Sequence, residues 1–362
     1  LVTEVSCAGA VYAVDLSFDS TLLATGDATG RAIIWSTADG AKVAEMSCGS
    51  TVRGVEISYD NAKLATGCEG GNARVWDVQH RECIMEVQCG KEVYGVDLSS
   101  DTLILATGDW KRNAKLWDVR TGALVREFKC AHNVYCVKLS DDNLYLATGD
   151  AMSKARVWNT ATGVCISSMD CAGWVYSVSF SVDSKLLLTG DQGKSVRLWN
   201  VSSGQLLCKL ECDNQVHSVI LSECKGLLMT ASRSGKVSVW DMALGDTVTK
   251  LQLGEGDVLS VDMDGELIST AGPGKLSSVW HISGALRLQV ECKGNAMCIH
   301  ISRHQTKPVL ATGDATGLAC LWDIPTTDVA TDRSLSSSLT APEPIATFKC
   351  KAVAFAVKVS SD

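Results

Sequence analysis

The chain has 362 residues, 46% of them hydrophobic and 20% charged, with a formal net charge of −8. That balance excludes a disordered chain and leaves enough apolar material for a sizeable core. The acidic sign argues against a phosphate-binding surface, so no nucleic-acid partner is expected, and no apolar run approaches the ~20 residues that span a bilayer.

The first element is "LVTEVSC", residues 1–7, an alternating strand with no three strands before it. After it a five-residue word keeps returning: LATGD from 23, LATGC from 64, LATGD from 105 and 146, LLTGD from 187, LMTAS from 228, ISTAG from 268 and LATGD from 310. A tryptophan follows each one, at Trp35, Trp76, Trp117, Trp158, Trp199, Trp240, Trp280 and Trp322. A fixed period near 41 residues signals stacked units, none of which can bury its apolar face alone. Eight such units fill nearly the whole chain, so 1–362 reads as one domain.

Residues 89–129 show the elements of one unit in order. "VYGVDLS" (93–99) is a β-branched apolar strand closed by a turn, and "LILATG" (103–108) is a second apolar run ending in glycine. "AKLWDV" (114–119) is a third, "RTG" turns the chain, and "ALVREFKC" (123–130) alternates as a fourth strand with one wetter face. Four short strands joined by turns too short for helices make an antiparallel meander, the blade of a propeller. The fold class is therefore all-β, with eight four-stranded blades. The alternative is seven blades plus part of a second propeller, because the chain ends on "AFAVKVSSD", a first strand with no second. With "LVTEVSC" this leaves two strands more than eight closed blades need. Either they double up at the closure or the natural polypeptide continues past Asp362 with a strand like "LLATG". Residues 325–343, "PTTDVATDRSLSSSLTAPE", interrupt the last unit and read as a flexible Ser/Thr/Pro-rich loop.

Of the sixteen cysteines, eight recur with the period: Cys7, Cys48, Cys89, Cys130, Cys171, Cys212, then Leu253, Cys292 and Cys350. A position that accepts Leu is a packing position, where free cysteine behaves as a small hydrophobe. Equivalent points on neighbouring sheets lie ~10 Å apart, beyond the ~7 Å reach of a disulfide. The periodic cysteines are expected to be buried, unbridged thiols in a reducing compartment, the cytoplasm.

"LWDV" at 116–119, "VWDV" at 75–78, "VWDM" at 239–242 and "LWDI" at 321–324 make the units resemble WD40 repeats over essentially the whole chain. The resemblance implies an intracellular protein-binding scaffold, a subunit of a larger complex, with no catalysis and no cofactor. It also implies a network of His, Ser or Thr, Asp and Trp in each unit. Here Thr25, Thr66, Thr107, Thr148 and Thr189 keep the hydroxyl, but Cys stands for His, and Thr29, Gly70, Lys111, Met152 and Gly193 stand at the turn position of the Asp. The network is expected to be absent in its usual form. An Asp appears two residues earlier instead, at Asp27, Asp109, Asp150, Asp191 and Asp314, as a turn cap or as a partial acidic ring that serves a cation or an enzyme.

Other motifs are weak. "TGDQGKS" (189–195) has the wrong glycine spacing for a phosphate loop and leads into a strand, and the histidines at 80, 132, 217, 281, 300 and 304 lack metal-ligand spacing. "NVS" (200–202) starts inside a strand. "WDVR" (117–120) resembles a box by which some WD40 proteins dock on cullin-type ubiquitin ligases as substrate receptors, the alternative function.

Two tryptophans are outside the period. Trp110 is in the turn between second and third strands, and Trp174 is in the loop before a first strand. The residue just inside each first strand runs Tyr12, Arg53, Tyr94, Tyr135, Tyr176, His217, Leu259, Met297. Aromatic and Arg side chains dominate binding interfaces. Trp110, Lys111, Arg112, Trp174, Tyr94, Tyr135 and Tyr176 are therefore the candidate protein-binding patch, with plugs of the gaps between blades as the competing role for the rings.

Overall fold

The computed structural model describes residues 4–6, 11–17, 19, 21–212, 214–222, 227–232, 236–241, 247–253, 258, 260–264, 266–271, 275–292, 294–303, 308–314, 316, 318–324 and 346–349. The 325–343 insertion, the last first-strand repeat, Leu259, Cys7 and Cys350 lie outside the described residues. Every regular element among those described is a strand.

β1 (Glu4–Ser6) precedes eight sheets, each a run of consecutive strands. Blade 1 runs from Val11 to Ser47, blade 2 from Val52 to Gln88, blade 3 from Val93 to Lys129 and blade 4 from Val134 to Asp170. Blade 5 runs from Val175 to Glu211, blade 6 from Val216 to Gln252, blade 7 from Ser260 to Glu291 and blade 8 from Ala296 to Lys349. Each first strand touches the next blade's first strand, and that of blade 8 touches that of blade 1, so eight blades close a ring around a central channel. A seven-bladed ring with a remainder is not what forms. At the closure β1 adds to blade 8 as a fifth strand, parallel to β33 (Ala346–Lys349) with Val5 opposite Phe348. One of the two surplus strands thus doubles up there.

The recurring LATGD word is the second strand of each blade. Its last five residues are buried in blade 3, because neighbouring blades cover both faces of the sheet. Its glycine is needed for that approach: a Cβ on Gly108 would stand 2.7 Å from Val134 Cγ1 of blade 4. Fourth strands lie outermost except in blade 8, where β1 lies beyond β33, and Leu124–Lys129 is buried only at Phe128 and half-buried at Arg126.

The expected polar network is replaced by a shorter one that crosses between blades. Trp117 Nε1–H donates to Thr107 Oγ1 at 3.0 Å, and Cys89, at the end of blade 2, brings its Sγ to 3.6 Å from the same oxygen. The pattern repeats as Trp76–Thr66–Cys48, Trp158–Thr148–Cys130, Trp199–Thr189–Cys171 and Trp322–Thr312–Cys292. Six periodic tryptophans are buried, whereas Trp240 and Trp280 are half-buried with longer Nε1–Oγ1 distances of 3.4 and 3.3 Å. The described periodic cysteines are free thiols; Cys48, Cys89, Cys130 and Cys292 are buried, but Cys171 and Cys212 only half so.

A second cross-blade device lies on the first strands. Asp15 Oδ2 accepts the Ile57 N–H at 2.7 Å, Glu56 Oε2 the Leu98 N–H at 2.8 Å, Asp97 Oδ2 the Leu139 N–H at 2.5 Å and Asp262 Oδ2 the Ile301 N–H at 2.7 Å. Each carboxylate satisfies a backbone donor of the following blade, tying the inner wall of the ring together.

Candidate protein-binding surface at the channel mouth

The rim residues stand out because of a backbone irregularity. Pairing of first and second strands shifts register between Val11 and Ala13, Val52 and Gly54, Val93 and Gly95, Val134 and Cys136, and Val175 and Ser177. Each shift leaves one unpaired residue on the innermost strand: Tyr12, Arg53, Tyr94, Tyr135 and Tyr176. A β-bulge of this kind re-aims a side chain out of the sheet's alternation. The same irregularity falls at His217 and Met297 in blades 6 and 8, while the equivalent position of blade 7, Leu259, lies outside the described residues.

The loop before the first strand and the turn between second and third strands meet at the same end of each blade. Trp110 N–H donates to Glu92 O at 3.1 Å, and Gln192 N–H donates to Trp174 O at 2.9 Å. The two unscheduled tryptophans therefore arrive at one rim. Tyr94 stacks on Trp110 with ring centroids 5.1 Å apart and planes 12° apart, and Tyr135 stacks on Trp174 at 5.7 Å and 25°. Edge and tilted contacts join Tyr135 to Trp110 at 6.4 Å, to Tyr94 at 6.2 Å and to Tyr176 at 5.7 Å. Five rings from blades 3 to 5 form one continuous array. Trp174 keeps 42% of its surface exposed, and the other four are half-buried.

Arg53 extends the array into blades 1 and 2. Its guanidinium lies 4.1 Å from the Tyr12 ring centroid and 5.6 Å from that of Tyr94, and it pairs with Glu69 at 2.9 Å. The Arg53 hydrogen bond holds the Glu69 carboxyl below its ordinary range. Burial pushes the Tyr94 and Tyr135 hydroxyls up, so both stay protonated neutral donors. The period had marked Tyr12 and Arg53 as rim positions, but their cation-over-ring contact has no signature in sequence.

Lys111 and Arg112 are exposed at the turn tip, as expected, but no ring contact joins them to the array. Lys111 lies over Gly90, and Arg112 adopts φ 70°, the left-handed position that Gly30 and Gly71 fill in other blades. The Asp set is a set of turn caps. Asp27 Oδ1 accepts from the Thr29 and Arg31 N–H groups, Asp109 from Lys111 and Asn113, Asp150 from Met152 and Lys154. Asp191 caps Ser195 and Asp314 caps Thr316. All five are 0–1% exposed, so they form no acidic ring facing solvent. Arg156 and Arg197 pair with Asp150 and Asp191 in addition. In "WDVR", Asp118 caps its own turn at the opposite end of the blade from Trp110, accepting the Arg120 and Thr121 N–H groups.

Residues 2–36, 41–77, 81–118, 122–159 and 163–200, more than half of the chain, match the WD40 family, described as WD domain, G-beta repeat. The chain belongs to the WD40 family. A crystal structure of the computationally designed Ika8 protein is similar at 17% identity and a TM-score of 0.80, over 89% of this chain and 99% of that one. At that identity the likeness speaks for the fold alone. No curated protein matches the sequence. WD40 propellers commonly serve as protein-interaction scaffolds, so within the family the site must carry the functional argument. No helix among the described residues is long and apolar enough to cross a membrane.

Proposed function

We propose that this WD40 propeller is a non-catalytic scaffold subunit of an intracellular assembly and that it docks a protein partner on the aromatic array at the channel mouth. The observation that carries this is the continuous contact of Tyr94, Trp110, Tyr135, Trp174 and Tyr176, with Trp174 at its exposed edge. Bulges in blades 1 to 5 turn Tyr12, Arg53, Tyr94, Tyr135 and Tyr176 out of their strands' alternation at this mouth, and the Trp110 Nε1–H has no acceptor among the described residues. Rings held against one another lose little side-chain entropy on binding, which is how aromatic anchors become the centre of an interface. Free periodic thiols support a reducing compartment.

The test is site-specific photocrosslinking in the native complex. A photoreactive phenylalanine at position 174 should capture the partner, and one at position 120, at the opposite end of the blade, should not. Capture from position 120 alone would place the interface on the other face.

A further inference from the structure

Blade 2 departs from its neighbours at one buried point. Its second strand ends in Cys68, where blades 1, 3, 4, 5 and 8 have the capping Asp. The side chain at this place faces the segment that follows the previous blade's periodic cysteine: Asp191 Oδ2 accepts the Ala172 N–H, next to Cys171, and Asp314 Oδ2 accepts the Gly294 N–H. In blade 2 the corresponding cysteine is Cys48. Cys48 and Cys68 are 2% and 0% exposed and belong to one core cluster; Cys48 Sγ lies 3.8 Å from Thr66 Oγ1, and Cys68 is two residues further along that strand, on the same face.

Arg74 lies against the pair. It donates to the Cys48 carbonyl at 2.6 Å and to Glu86 at 2.8 Å, and its charge acts on both sulfurs. In blades 3 to 5 the equivalent Lys115, Arg156 and Arg197 face the Asp carboxylate instead. The Cys68 side chain, opposed by burial and aided by Thr66 and Arg74, holds the Cys48 thiol below its ordinary value. Burial pushes Cys89, Cys130 and Cys171, which have no such neighbour, up to about 11.

The turn over the pair is also held differently. Cys68 offers no carboxylate to the turn amides; Gly70 N–H is held by Ser50 Oγ at 2.9 Å and Gly71 N–H by the Cys68 carbonyl at 3.1 Å. Two consecutive glycines thus stand in a turn that lacks the Asp cap of blades 1, 3, 4, 5 and 8 and is held by Ser50 and Thr51 instead.

We propose that Cys48 and Cys68 are a peroxide-responsive dithiol that closes to a disulfide and staples blade 1 to blade 2. The Cys48 thiolate attacks one oxygen of hydrogen peroxide, the O–O bond breaks, and the departing hydroxide takes the thiol's proton and leaves as water. The Cys48 sulfenic acid is then attacked by the Cys68 sulfur, which forms the S–S bond and releases a second water carrying the Cys68 proton. Two thiols are oxidised by two electrons and one peroxide is reduced to two waters. Arg74 stabilises the attacking thiolate.

The experiment treats the native full chain with hydrogen peroxide, blocks the remaining thiols and maps the peptides. The expected product is a 48–68 disulfide, formed before the exposed Cys83 and Cys165 are lost and reversed by dithiothreitol. Arg74→Gln should slow its formation several-fold. Cys68→Asp installs the residue that five other blades carry; it should stay folded and give a Cys48 sulfenic acid that dimedone traps. Oxidation of Cys83 or Cys165 while Cys48 and Cys68 both remain blocked as free thiols would overturn the proposal. So would a wild-type rate in Arg74→Gln.

Discussion

Tyr135 stacks on Trp174 with ring centroids 5.7 Å apart and, by its other contacts, meets Trp110 edge-on at 6.4 Å with planes at 87°. One tyrosine in blade 4 thus bridges a tryptophan of blade 3 and one of blade 5. The bulge between Val134 and Cys136 makes this possible, since a regular strand would alternate the ring into the sheet face. Aromatic pairs contribute about 0.5–1.5 kcal/mol each beyond area burial, enough to hold the array in shape before any partner arrives.

The cross-blade Trp–Thr–Cys network carries part of the stability of each interface. Thr107→Val keeps the shape and removes the only described acceptor of the buried Trp117 Nε1–H. Stranding that donor should cost about 1–3 kcal/mol, read as a lower urea midpoint. In blade 7 the half-buried Trp280 reaches Thr270 at 3.3 Å and Leu253 replaces the cysteine, so Thr270→Val should cost less. A Thr107→Val protein as stable as the parent would show that the network is incidental.

Acid should weaken the propeller in a defined window. Ser17 and Asp19, and Ser181 and Asp183, close turns between first and second strands, the hydroxyl donating to Asp Oδ1 at 2.8 Å in both. Burial raises the Asp19 carboxyl, but the Thr21 N–H and the Asn61, Thr21 and Ser17 side chains bring it down to about 2. Asp183 is lowered to about 2 by the Lys185 ammonium, the Ser181 hydroxyl and the Lys185 N–H. Because the folded values lie below the ordinary 3.8, this contribution is present above that pH and is lost as pH falls towards about 2. Denaturant midpoints at pH 5, 3 and 2 should fall less steeply in an Asp19→Asn, Asp183→Asn double variant. Parallel curves would remove these carboxylates from the acid response.

The 41-residue period made the fold legible, since Trp117 and its seven counterparts and the LATGD word mark strand positions directly. Eight blades were legible too; the ring decides for them by bringing the first strand of blade 8 against that of blade 1, a closure no local pattern encodes. The patch was partly legible, because Trp110 and Trp174 break the period and Tyr94, Tyr135 and Tyr176 keep a rim position. What escaped the sequence depends on register and on neighbours from other blades. The bulges need the partner strand to be seen, Arg53 over Tyr12 needs two blades, and Lys111 turns to Gly90 because of the turn's geometry. Cys68 beside Cys48 was hidden for the same reason: the argument that periodic cysteines stay apart does not cover a cysteine outside the period.

The binding surface is tested most directly by the partner affinity of Trp174→Ala, measured beside its melting temperature. Truncating a hot-spot ring typically costs ~2 kcal/mol or more, roughly thirtyfold in Kd, while a ring that remains 42% exposed contributes little to folding. The expected result is a Kd at least about thirtyfold weaker with a melting temperature close to the parent's. A variant that melts well below the parent and binds its partner normally when folded would make Trp174 a packing residue and contradict the binding surface.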